Sequence, residues 1–173
     1  MSTAEAGAEV EVSVGFQAEG DAQVEEAQVA AGKFQKKKSP IVEAIADAEH
    51  FTTGEIRVHL TRRWIEKDPY SRASRLFEEF QMTKTAERNA VLLYINLRKR
   101  KFAIIGDRGI HQKVGQIYWE QLAQKLREDL QSTQIENAVA LAVRSIGRTL
   151  QTFFPRDLDS LNPDELSNEV THD

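Results

Sequence analysis

Apolar positions along this chain fall into short periodic blocks separated by caps, glycines and charge. Residues 1–38 are rich in Ala, Glu, Gln and Gly and poor in large apolar side chains. Such a segment buries too little surface to offset its ordering entropy, so it is expected to be a disordered arm. One stretch within it has strand periodicity: Val10, Val12, Val14 and Phe16 alternate with Glu9, Glu11, Ser13 and Gly15. That pattern suits an added strand on an exposed sheet edge. Ser39 and Pro40 then supply an N-cap and a first-turn proline, and Ile41, Val42, Ile45, Ala46 and Ala48 give a helical apolar face to about His50. Ile56, Val58 and Leu60 alternate with Arg57, His59 and Thr61, the pattern of a half-buried strand with His59 on its outer side. Asp68-Pro69 repeats the cap-plus-proline signal and opens a helix whose face is Ala73, Leu76, Phe77 and Phe80.

Residues 90–97, AVLLYINL, are apolar without a break, as befits a central strand covered on both faces. Arg98, Lys99, Arg100 and Lys101 follow, and then Phe102 to Ile105 run into Gly106. Two strands joined this closely predict a hairpin with charge at its tip. Asp107 to Gly109 form a tight loop, and the pattern of residues 110–116 is ambiguous, with a single helical turn as one reading. Trp119, Leu122, Ala123, Leu126 and Leu130 place a third helix at about 117–131. Thr133 and Glu136 have capping-box spacing before a fourth helix that buries Ala138, Val139, Ala142, Ile146 and Leu150 and stops at Pro155. The order α, β, α, β, β, α, α predicts an α/β fold over residues 39–155, a small sheet with helices on both faces. Residues 156–173 are expected to be a disordered acidic tail.

Composition narrows the options. The length of 173 residues fits one domain with tails. No apolar run approaches the roughly 18 residues of a membrane span, and the N-terminus lacks the basic and apolar regions of a secretory signal, so a cytoplasmic location is expected. Cysteine is absent, which excludes disulfides, thiolate metal sites and cysteine nucleophiles. The net charge of −4 hides a segregation. Residues 1–32 hold seven acids and no Lys or Arg, and residues 156–173 hold six acids and one base, leaving 22 bases and 14 acids between them. A basic domain therefore sits between acidic ends. Either it meets phosphates or acidic partners, or the charge only solvates the surface.

Three segments together resemble the TPM domain family, which takes its name from a thylakoid lumen protein, a photosystem II protein and an acetylcholine-receptor auxiliary protein. They are TGEIRVHL at 53–60, RASRLFEEF at 72–80 and NAVLLYINLRKRKFAIIGDRGIHQKVG at 89–115. The resemblance covers about residues 40–155. It implies a three-layer α/β/α sandwich with a small mixed sheet. It also implies either acid phosphatase activity, described for some plant members, or binding of calcium or another divalent metal. The chain departs from the family in lacking a signal peptide and anchor, and in having Asn96 and Leu97 where many members have an acidic pair.

The residues themselves offer two candidate sites. A phosphatase without cysteine needs a metal-held water or another nucleophile, and no D-x-D signature or Walker loop is present. The best ligand set for Ca²⁺ or Mg²⁺ is Asp107, His111 and Glu120, with Asp68 as a weaker contributor beyond the first strand. The plainer explanation is that Asp107 and Asp68 cap their own turns and that Glu120 favours a helix start. The second candidate is the tetrad Arg98, Lys99, Arg100 and Lys101, placed to grip nucleic acid or lipid headgroups. With no aromatic residues interleaved, nucleic acid is disfavoured. The expectation is a monomeric, non-enzymatic interaction module with an unknown protein partner, holding a divalent cation weakly near Asp107. The alternatives are a metal-dependent acid phosphatase and a polyanion-binding domain.

Overall fold

The computed structural model describes residues 12–15, 39–65, 68–157 and 170–173, the first of these as backbone alone. The elements are β1 (Val12–Gly15), α1 (Pro40–His50), β2 (Ile56–Thr61), α2 (Pro69–Glu79), β3 (Val91–Asn96), β4 (Lys101–Gly106), α3 (Arg108–Ser132), α4 (Ile135–Phe153) and β5 (Thr171–His172). They build one mixed sheet in the order β1-β4-β3-β2-β5. β3 and β4 form the predicted antiparallel hairpin, with Val91 opposite Gly106 and Asn96 opposite Lys101. β2 lies parallel to β3, from Ile56 beside Val91 to Thr61 beside Asn96. The carboxyl ends of β2 and β3 therefore finish side by side.

Strand periodicity decides which face each side chain enters. Ile56, Val58, Leu60, Leu93, Ile95, Phe102 and Ile104 point into a core built with α1, α3 and α4. Leu92, Tyr94, Ala103 and Ile105 point the other way, against Ala73, Leu76 and Phe77 of α2. Every residue of β3 is buried, as its unbroken apolar run requires. The result is the expected three-layer α/β/α arrangement.

Both sheet edges differ from their surroundings in sequence. The alternating stretch near the N-terminus does add a strand, with Val12 opposite Ile104 and Gly15 opposite Lys101. The rest of the arm and of residues 156–173 beyond 157 lies outside the described residues, except for 170–173. These last residues depart from the expected disordered tail: Thr171 and His172 pair in parallel with His59 and Leu60. The strand covers His59, which is buried rather than on an outer surface. His59 stacks on Tyr94 at 5.5 Å and contacts Thr171 Oγ1 at 2.7 Å and Asp173 Oδ1 at 3.1 Å.

The helix ends follow expectation only in part. A helical segment from Arg108 precedes a break at Gly115 (φ 71°), and the predicted helix at about 117–131 follows it, the two together forming α3. The Thr133–Glu136 capping box does not form, because Thr133 closes α3 and Gln134 occupies the N-cap of α4 without a side-chain bond. Ser39 holds the N-cap position of α1 but its hydroxyl makes no cap bond.

Candidate functional site at the carboxyl ends of the parallel strands

The two rims of the β2–β3 pair hold most of the polar residues singled out from sequence. At the amino rim they bind one another. Arg88 adopts a left-handed φ of 53°, and its Nε and Nη2 donate to Asp107 Oδ2 and Oδ1 at 2.7 and 2.8 Å. Asp107 Oδ1 also accepts from Arg108 N at 2.7 Å, capping α3. Gly109 N donates to Arg88 O at 2.7 Å, and a Cβ on Gly109 would overlap the Glu87 carbonyl oxygen. The GDRGI turn is thus a clamp between α3 and the segment before β3. The TGE segment works in the same way: Asn89 Nδ2 donates to Thr53 Oγ1 at 3.1 Å, and Thr52 Oγ1 donates to Phe154 O at 2.5 Å.

The proposed metal ligands are dispersed among such bonds. Both oxygens of Asp107 are taken by Arg88. His111 Nδ1 accepts from the buried Trp119 Nε1 at 3.2 Å. Glu120 sits past the kink, exposed, and accepts from Gln116 Nε2 at 3.3 Å. Asp68 caps α2, accepting at its Oδ2 from Ser71 N at 2.8 Å and Ser71 Oγ at 2.9 Å. Desolvation raises the Asp68 pKa, but these bonds outweigh it and hold the carboxyl below its ordinary value. Among the described residues, no three of His, Asp and Glu are grouped closely enough to hold a metal ion.

The carboxyl rim is different. The chain leaves β2 through Arg62, Arg63, Trp64 and Ile65, and leaves β3 through Leu97, Arg98, Lys99 and Arg100 into Lys101. Asn96 joins the two loops, with its Nδ2 donating to Arg63 O at 3.1 Å and its Oδ1 accepting from Lys99 N at 2.9 Å. That role needs one donor and one acceptor, so an amide suits it where a carboxylate would not. The pinned loops bring Trp64 under the tetrad: Arg98 lies 4.1 Å and Lys99 4.7 Å from the centre of its ring. Trp64 is 62% exposed and Ile65 90% exposed. The tetrad thus has an aromatic neighbour after all, contributed from about thirty residues earlier in the chain, where sequence spacing gave no sign of it.

Residues 62–65 and 97–101 contain six bases and no acid. Among the described residues, Arg62 and all four tetrad residues have no carboxylate within ion-pair distance, while Arg63 and Arg72 pair with Asp173 at 2.7 and 3.2 Å. Burial works against ionising Asp173, but hydrogen bonds from Thr61 and His59, the charge of His59 and a hydrogen bond from Arg72 overcome it, holding the carboxyl at about 2. Burial also pushes the His59 pKa down, more than its hydrogen bond to Asp173 raises it. Among the described residues, no helix is long and apolar enough to cross a membrane.

The fold has a solved counterpart. The chain is similar to the BA42 protein from the psychrophilic bacterium Bizionia argentinensis, known by NMR, with 29% identity, a TM-score of 0.72, and coverage of 84% of this chain and 99% of that one. No curated protein matches. The family model described as the TPM domain matches residues 30–149. With the sandwich, the hairpin and the glycine clamp all in place, the chain belongs to the TPM domain family.

Proposed function

We propose that this TPM domain is a non-enzymatic binding module that grips phosphate-bearing polyanions at the carboxyl rim of β2 and β3. The observation behind this reading is the convergence of six bases from two loops, five of them with no described carboxylate within ion-pair distance. Such a surface attracts polyvalent anions and releases their counterions on binding. The groups gathered there are donors and cations, which hold a phosphate without supplying the nucleophile or metal-held water that a phosphatase needs. A weak Ca²⁺ or Mg²⁺ site at Asp107 would have to displace Arg88 from both carboxylate oxygens, so it forms no part of this reading. The proposal keeps a monomeric chain and a cytoplasmic location, which light scattering and cell fractionation test.

Calorimetric titration with inorganic polyphosphate tests the function. About four phosphate contacts should give a slope near −3 in log affinity against log salt. Replacing Arg98, Lys99, Arg100 and Lys101 together by Ser should flatten that slope and weaken binding by roughly tenfold or more. Equal affinity in the two proteins would overturn the proposal.

A further inference from the structure

The segment after β2 exposes two large apolar side chains in succession, Trp64 and Ile65, beside Arg62 and Arg63 and under Arg98 and Lys99. Exposed single apolar residues are common, but this pair has a definite setting. It lies on a loop rather than on a helix face that a neighbour might cover. Asn96 fixes that loop to the β3–β4 hairpin. Arg98 and Lys99 stand over the Trp64 ring, and Arg62, Arg100 and Lys101 on the same two loops are exposed.

Resting on the polyanion reading above, we infer that the physiological polyanion is an anionic lipid surface, with Trp64 and Ile65 entering the headgroup–acyl boundary while the flanking bases hold phosphate groups. Charge complementarity identifies the partner: bases near an anionic leaflet are attracted to it. An indole at the level of the headgroups, with an aliphatic side chain beside it, is the chemistry of an interfacial anchor. Nucleic acid fits less well. Base stacking uses the open face of an aromatic ring, and two cations already lie over that of Trp64. Ile65, the more exposed of the pair, has no part in stacking but a direct one in insertion.

The test uses the full chain and vesicles of phosphatidylcholine, with and without a third of phosphatidylserine. Trp119 is fully buried, so a change in tryptophan emission on binding reports Trp64. The expected result is co-sedimentation with the anionic vesicles only, a blue shift in emission, and quenching by lipids labelled in the acyl chain. Trp64→Ala with Ile65→Ala should bind those vesicles roughly tenfold more weakly yet bind polyphosphate like the parent. Vesicle binding undiminished in that double variant, or emission unchanged on binding, would overturn insertion and leave the polyanion reading standing. A single-stranded oligonucleotide that quenches Trp64 where vesicles do not would also overturn it. If neither vesicles nor polyphosphate bind, both readings fall.

Discussion

At the amino rim of the β2–β3 pair, Thr52, Thr53, Arg88, Asn89 and Asp107 direct their hydrogen bonds at the protein itself. At the carboxyl rim, Arg62 and the tetrad are exposed, and Arg98 and Lys99 lie over an exposed indole. The residues at the first rim include the motifs that mark the family, and those motifs close the fold. A buried carboxylate with both oxygens taken, as in Asp107, stabilises and positions its neighbours but has little left for a ligand. An unpaired charge beside exposed apolar surface adds little to stability, which is the signature of a surface kept for a partner. The contrast separates residues that are prominent in sequence from residues able to bind.

Substitutions at the amino rim should therefore harm folding most. Gly109→Ala drives a methyl group into the Glu87 carbonyl and should destabilise the domain by about 3 kcal/mol. Asp107→Ala removes the α3 cap and strands the Arg88 guanidinium, for a loss of about 2 kcal/mol. Urea unfolding measures both, and a loss under about 0.5 kcal/mol in either would mean that the clamp is not structural.

Asn96→Asp sharpens the comparison from the other side. The carboxylate leaves the Arg63 carbonyl without its donor and places negative charge among the bases. Stability should fall by about 1 kcal/mol, while polyanion binding falls more than the stability loss explains. Unchanged binding would show that the pinned loops are not the binding surface.

The smallest effect concerns pH. Burial depresses the His59 pKa in the folded protein, so the unfolded chain binds protons first as pH falls below about 6.5. Stability contributed by neutral His59 is present above that pH and declines with acidification. The contribution of Asp173, held at about 2, persists until its unfolded counterpart protonates near pH 4. The charged groups that face His59 are Asp173, Arg72 and His172. Thermal melts should show a decline between pH 7 and pH 5.5 that His59→Gln removes. A slope that survives the substitution would assign it elsewhere.

Much of the scaffold is legible in the sequence because its signals are local. The run at 90–97, the alternation at 56–61 and the Asp68-Pro69 start each lie within a few residues of the structure they specify. The two rims are less legible because their partners are distant. Asp107 looks like a ligand until Arg88, nineteen residues away, is seen to hold both oxygens. Trp64 looks unremarkable until the sheet sets it under Arg98. His59 is covered by a strand of two residues, too short to show any periodicity. The failed capping box at Thr133 shows a different limit: spacing alone does not say which helix end claims a residue.

On the proposed function, ligand meets the carboxyl rim and not the glycine clamp. Amide NMR during titration with short inorganic polyphosphate tests it most directly. Shifts should concentrate in residues 62–65 and 97–101 and leave 106–112 in place. Shifts centred on 106–112, or none at all at millimolar ligand, would contradict the account.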